Sequence, residues 1–257
     1  MLAALAVNRI SVDREKNLEA LLNLCSDAVS SGAELLLCPE TALTGLIITD
    51  DPAHDLPLGV SIPGPATDKL ANFCEMNGVW MATGLLEKKN GCLYDSAVLY
   101  SPDGTCMLHY RRINPQWHAE NADPDRYGDG RNLKTADTPF GRVSFLICGD
   151  LFDDEVLRKL VSLKADLLLF PFARCFVDGS ICQEAWNEEE LPAYLDRIRK
   201  ARVPALMTNY LGTDLPEDRS FGGAFAVSAD GVLVDEYPLG REGFLMVDLD
   251  DVISGTR

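Results

Sequence analysis

Only three histidines, His54, His109 and His118, occur among 257 residues. None stands at metal-ligand spacing from another, which argues against a zinc site. The eight cysteines form no Cys-x-x-Cys pair and fall mostly in apolar runs, the pattern of thiols in a reducing cytosol rather than of a disulfide framework. Positive charge is scarce too: 23 Lys and Arg stand against 40 Asp and Glu, a net charge of −17. Nucleic acid and anionic membranes need a basic face, so neither is expected as a partner. No apolar run approaches the roughly eighteen residues of a membrane span. The apolar opening, residues 1–7, lacks a basic leader and stops at Asn8-Arg9, so it reads as a first strand and not as a signal peptide. Low-complexity tracts, like-charge blocks, long Gly/Ser linkers and short repeats are also missing. What is left is a cytoplasmic protein with 47% hydrophobic residues, expected to form one domain over 1–257 around a substantial core.

Periodicity orders the elements. Leu18, Leu21, Leu22, Cys25 and Val29 keep helical spacing, and Gly32 is a natural stop. Residues 34–38 form a buried strand broken by Pro39, with Glu40 at its end. A helix over 66–76, ending near Gly78, and a strand over 79–86 follow. Asn90-Gly91 predicts a hairpin, and strands over 92–100 and 105–112 continue it as a meander. Residues 114–132 are polar and irregular, with Pro115, Pro124, Gly128 and Gly130; long loops of this kind are often functional. Next come a buried strand over 143–147, a helix near 154–163, and a strand over 167–170 that Pro171 is expected to end. A helix within 184–201, a strand over 203–209, a hairpin over 224–237 and a strand over 244–247 complete the chain. Strand–helix alternation mixed with hairpins predicts an α+β fold, a mixed-sheet sandwich with helices outside.

Chemistry centres on Cys148, where the apolar run Val-Ser-Phe-Leu-Ile meets Gly149-Asp150. Asp150, Asp153 and Asp154 precede a periodic segment beginning at Val156, as suits a helix N-terminus. A thiol at such a strand-to-helix turn can be stabilised as thiolate by backbone N–H groups. The alternative is a buried structural cysteine. Glu40 and Arg112 share the construction, each at the end of a predicted strand. Thiol, carboxylate and permanent cation together suit acyl transfer. The thiol attacks a carbonyl or nitrile carbon, the carboxylate relays the proton, and the cation offsets developing negative charge. Taken singly, Glu40 could cap the turn after Pro39, and Arg112 could be a solvated strand end.

In their order and context these residues resemble the nitrilase, or carbon–nitrogen hydrolase, superfamily. Leu-Leu-Leu-Cys-Pro-Glu40-Thr-Ala-Leu-Thr-Gly and Phe-Leu-Ile-Cys148-Gly-Asp carry two of its signals. Ile-Pro-Gly-Pro at 62–65, Tyr94-Asp95-Ser96-Ala97, Pro139-Phe140-Gly141-Arg142, Gly222-Gly223 and Val247-Asp248-Leu249-Asp250 extend the match along the chain. The resemblance implies a four-layer αββα sandwich and a Glu-Lys-Cys triad. It also implies hydrolysis of an amide, ω-amide, N-carbamoyl or nitrile C–N bond in a small molecule through a Cys thioester. No cofactor is implied, and the expected assembly is a homodimer or higher homo-oligomer. The departure is His109-Tyr110-Arg111-Arg112-Ile113, which places Arg112 where the family has its Lys. Arg is larger, planar and unable to release its proton, and losing one oxyanion donor costs on the order of 3–4 kcal/mol. Two readings follow, an active hydrolase and a catalytically silent, nitrilase-like binding or assembly protein. The family's second Glu lies between its Lys and Cys; Glu120 is the candidate here, with Asp123 and Asp125 as alternatives. A Cys–His hydrolase built on His109 or His118 would leave Glu40 unexplained, and no Gly-x-Ser-x-Gly elbow supports a serine hydrolase. Substrate identity is left to the loops.

Overall fold

The computed structural model describes residues 1–212 and 219–255. Its first sheet contains β1 (Leu2–Val7), β2 (Leu35–Leu37), β3 (Trp80–Lys89), β4 (Cys92–Tyr100) and β5 (Cys106–Arg111). Its second contains β6 (Thr135–Thr138), β7 (Gly141–Phe145), β8 (Leu167–Phe172), β9 (Ala205–Asn209), β10 (Ala224–Val227) and β11 (Leu233–Tyr237). The last strand, β12 (Gly243–Asp248), returns to the first sheet and pairs antiparallel with β1, Leu2 opposite Asp248. The strand orders are β12-β1-β2-β3-β4-β5 and β11-β10-β9-β8-β7-β6.

The helices are α1 (Arg14–Ser30), α2 (Pro52–Asp55), α3 (Pro65–Asn77), α4 (Asp154–Leu163), α5 (Gln183–Ala185), α6 (Leu191–Ala201) and α7 (Leu249–Ser254). Leu21 and Cys25 of α1 and Leu70 and Cys74 of α3 pack on the outer face of the first sheet, against Leu36 and Met81. Leu157 and Leu160 of α4 and Tyr194 and Ile198 of α6 do the same on the second, against Leu168 and Met207. Between the sheets lies a third core, where Leu5, Leu37 and Leu99 meet Phe145, Leu169 and Leu206. The four layers are helix, sheet, sheet, helix. The parallel strands are buried on both faces, which is why Leu35–Leu37 and Leu167–Phe170 read as unbroken apolar runs.

Local chemistry sets the ends of the elements. Asp13 caps α1 by accepting from Lys16 N, and Gly78 ends α3 in a left-handed conformation. Asn90 and Gly91 both have positive φ, 54° and 79°, as the tight hairpin between β3 and β4 requires. One expectation fails. Pro171 does not end its strand, because β8 runs to Phe172 with Pro171 opposite Thr208. Pairing with β7 stops at Leu169, so one side of β8 is open there and a residue without an N–H is tolerated. Among the described residues no helix is long and apolar enough to cross a membrane.

Candidate active site

Glu40 sits in a turn stitched to β3. Cys38 N donates to Ala82 O at 2.8 Å, Gly84 N to Pro39 O at 3.0 Å, and Ala42 N to Gly84 O at 3.0 Å. The turn lies so close that a Cβ at position 84 would stand 2.5 Å from Glu40 Cα, so only glycine fits. The Glu40 side chain is thereby fixed at the end of the sandwich core.

Arg112 follows β5. Its N–H donates to Asp95 O on β4 at 2.8 Å, and its carbonyl accepts from Gly130 N at 2.7 Å. Alternation along the strand sends Leu108 and Tyr110 into the core between the sheets, with Arg112 in the same register. Arg111 and His109 point the other way and both bond Glu87, Arg111 through Nε at 2.8 Å and His109 through Nε2 at 2.9 Å. Arg112 Nη1 donates to Glu40 Oε1 at 3.0 Å and to Asp95 Oδ2 at 3.3 Å. Relative exposures of 0% for Glu40, 1% for Asp95 and 3% for Arg112 make this a buried charge cluster.

Cys148 opens a single 3₁₀ turn, Cys148–Phe152, just beyond β7. Its φ of 43° is left-handed, a strained conformation for a residue with a Cβ. Asp150 holds the turn. It accepts from Tyr110 Oη at 2.7 Å, Asn114 N at 2.8 Å, Ile113 N at 3.0 Å and Ile147 N at 3.0 Å. Asp150 is therefore no helix cap; Asp153 caps α4, accepting from Glu155 N and Val156 N. Asp150 instead ties the Cys148 turn to the segment after Arg112. Cys148 Sγ lies 3.5 Å from Ala173 O and is only partly buried. A Cβ at position 149 would lie 2.5 Å from Arg112 Nη2 and 2.9 Å from Asn114 Oδ1, so the missing side chain makes room for the guanidinium.

Burial pushes the Glu40 carboxyl well above the usual range, with help from Cys148 and Asp95 and against Arg112. Burial also raises Asp95, against its hydrogen bond with Glu40 and the charge of Arg112. Arg112 is held more firmly charged than usual: burial opposes this, but Cys148, Glu40 and Asp95 outweigh it. Asp150 is raised to about 6 by burial, partly offset by Tyr110 and the backbone donors of Asn114 and Ile147.

Three separate strand ends thus bring Glu40, Arg112 and Cys148 together. Glu120 is not among them: it is exposed, as are Asp123 and Asp125, and Asp123 caps a turn by accepting from Asp125 N at 2.9 Å. The acid present in the cluster is Asp95, which the sequence reading passed over. A signal existed, since Asp95 shares its β4 register with the core residues Ala97 and Leu99. His109 pairs with Glu87 and His118 with Asp129, so neither is bonded to Cys148. A cavity of about 740 Å³ lined by Lys89, Tyr94, His109, Arg111, Arg131 and Lys134 includes neither Glu40 nor Cys148; it faces the outer side of β5. Among the described residues no group of three or more His, Cys, Asp or Glu could hold a metal ion.

Comparison with known proteins places this geometry among others. The carbon–nitrogen hydrolase family model matches residues 2–257. An aliphatic nitrilase of Sinorhizobium fredii is 30% identical over 271 residues, covering 93% of this chain and 82% of that protein. An omega-amidase of Xenopus laevis is 23% identical over 200 residues, 76% of this chain and 67% of that protein. Among solved structures, a carbon–nitrogen hydrolase from Helicobacter pylori superposes with a TM-score of 0.82 at 19% identity, covering 99% of this chain and 91% of that one. A mutant of an amidase of Nesterenkonia gives 0.79 at 20% identity, with 100% and 94% covered, and in that structure its active-site cysteine carries the acetamide moiety of fluoroacetamide.

Proposed function

The chain belongs to the carbon–nitrogen hydrolase family, and from that premise we propose that it hydrolyses a small-molecule, non-peptide C–N bond through a thioester on Cys148. The observation that carries this reading is the convergence of a buried carboxyl, a buried guanidinium and a partly accessible thiol at Glu40, Arg112 and Cys148. The thiol adds to an amide or nitrile carbon while Glu40 takes its proton. Glu40 then returns a proton to the departing amine, and later removes one from the water that cleaves the thioester. Arg112 faces the negative charge that develops on the former carbonyl oxygen. Gly149 leaves the guanidinium within reach of the Cys148 turn, which supports an active enzyme over a silent relative. Glu120 is left out of the mechanism, since it stays exposed on its loop.

The substrate class is an amide, ω-amide, N-carbamoyl compound or nitrile. Purified protein is to be incubated with a panel of such compounds and ammonia release followed, with Cys148→Ala as control. Release by the wild type and not by Cys148→Ala is expected. A panel that yields no ammonia with correctly folded protein overturns the reading.

A further inference from the structure

One cation serves two buried acids. Arg112 Nη1 contacts both Glu40 and Asp95, at 3.0 and 3.3 Å, and among the described residues no other cation is bonded to either acid. Two ionised carboxylates would leave the cluster with an uncompensated buried negative charge, which a low-dielectric site resists. Each acid also has one buried oxygen with no donor, Glu40 Oε2 and Asp95 Oδ1. Arg112 Nη1, bonded to both, holds the two carboxyl groups beside each other. Acceptors cannot bond one another, so a proton is the missing partner. Building on the thioester chemistry above, we propose that Asp95 and Glu40 work as an acid pair clamped by Arg112, holding one shared proton at rest and two while the tetrahedral intermediate stands on Cys148.

Charge balance gives the pair its use. At rest Arg112 is +1, the singly protonated pair is −1 and the thiol is neutral, so the cluster sums to zero. On attack the S–C bond forms, the thiol proton passes to Glu40, the shared proton settles on Asp95, and the carbonyl π electrons move onto oxygen. The pair is then neutral, and the oxyanion replaces it as the negative partner of Arg112. When the C–N bond breaks, one proton leaves with the amine and the pair returns to its single proton. Water then adds to the thioester carbon, giving a proton to the pair, and the departing sulfur recovers it as the C–S bond breaks. The sum stays at zero throughout. An Asp95 that stayed ionised would add a buried negative charge beside the oxyanion at every stage. Which acid carries the single proton is immaterial, since a proton between interacting sites belongs to the pair. Burial favours retention of protons by both. The other titratable groups around the pair are Cys148, Tyr110, Tyr194 and Asp150, and the Tyr110 hydroxyl is committed to Asp150.

The proton can be read without a substrate. A buried carboxylic acid has a deuterium-sensitive C=O infrared band well separated from carboxylate absorption. At about pH 8 Asp150, raised only to about 6, is ionised and silent. The wild type is expected to show the band. Asp95→Asn and Glu40→Gln, each leaving one acid beside Arg112, should lose it, and Glu120→Gln should keep it, with near-ultraviolet circular dichroism confirming the fold of each. Absence of the band in the wild type, or its survival in Asp95→Asn, overturns the proposal. In turnover, the alkaline limb of the kcat/KM profile should move up by at least one pH unit in Asp95→Asn, because the shared proton is gone. A limb that stays in place removes the pair from catalysis. Turnover without the band defeats the pair alone, whereas a band without turnover of any panel compound defeats the thioester reading and with it the catalytic use of the pair.

Discussion

Gly149→Ala isolates the role of Arg112 better than a change at Arg112 itself. Gly149 does not have the positive φ that would penalise alanine, so the backbone accepts the new methyl group and only space opposes it. The methyl carbon would lie 2.5 Å from Arg112 Nη2 and 2.9 Å from Asn114 Oδ1. Ordinary contact begins near 3.4 Å, so the guanidinium must retreat by about 1 Å. A free arginine would yield at little cost, but this one is held by Glu40 and Asp95 in a sealed site. A 1 Å retreat stretches the 3.0 Å bond to Glu40 beyond hydrogen-bond length. Misplacement on this scale, or loss of one oxyanion donor, costs about 10²–10³ in kcat. Overpacking should lower stability by roughly 1–3 kcal/mol, leaving the protein folded. The assay is ammonia release on the best panel compound, with a thermal melt as control. In an Arg112→Lys background the longer guanidinium is gone, so adding Gly149→Ala should cost much less than in the wild type, a non-additivity that marks direct contact. Gly149→Ala within threefold of the wild-type rate would refute the placement of Arg112 beside the reacting carbon.

Iodoacetamide should label Cys148 fastest of the eight cysteines near neutral pH, as read by peptide mapping; even labelling of the folded protein would remove it as nucleophile. Glu40→Gln, nearly isosteric, should fold normally and lose about 10²-fold or more in turnover, and wild-type rates in that variant would send the search for the base elsewhere. Glu87 is held at about 2 rather than 4.5: burial opposes this, but hydrogen bonds from Arg111 and His109 prevail. A depressed carboxyl contributes stability above its unfolded pKa and loses it as pH falls toward the folded one. Denaturant unfolding between about pH 5 and pH 2 should therefore show wild type losing on the order of 3 kcal/mol more than Glu87→Gln; parallel curves would contradict the assignment. A homo-oligomer is proposed from the family resemblance, and sedimentation at micromolar concentration should give a particle larger than the 28.1 kDa protomer. A monomer would end that proposal.

The frame of the molecule was legible because its signals are local. Unbroken apolar runs mark β2 and β8, Asn90-Gly91 marks a hairpin, and Asp153 starts a helix whose periodic face begins at Val156. The convergence of Cys148, Glu40 and Arg112 was legible too, since each follows a strand end. What stayed hidden depends on contacts made across the fold. Pro171 survives inside a strand only because β7 stops pairing at Phe145. Asp150 looks like a helix cap in sequence, yet its partners Tyr110, Ile113 and Asn114 lie 36 to 40 residues away. Asp95 meets Glu40 and Arg112 only once four strands, β2 to β5, are side by side. Glu120 was chosen by its place between Arg112 and Cys148, and chain order cannot tell an exposed loop acid from one turned inward.

The pairing of β1 with β12 also governs how the protein is made. β1 is synthesised long before β12, and β2 can cover only one of its edges. The other edge waits for Gly243–Asp248, by which time all three proposed active-site residues have long been synthesised. Until then an apolar strand presents a row of unpaired N–H and C=O groups, the kind of template that recruits strands from other chains. A chain truncated between β11 and β12 would leave its first sheet open at β1. Such a product should be found in the insoluble fraction, and a separate peptide spanning 240–255, supplied during refolding, would be the natural agent to close it.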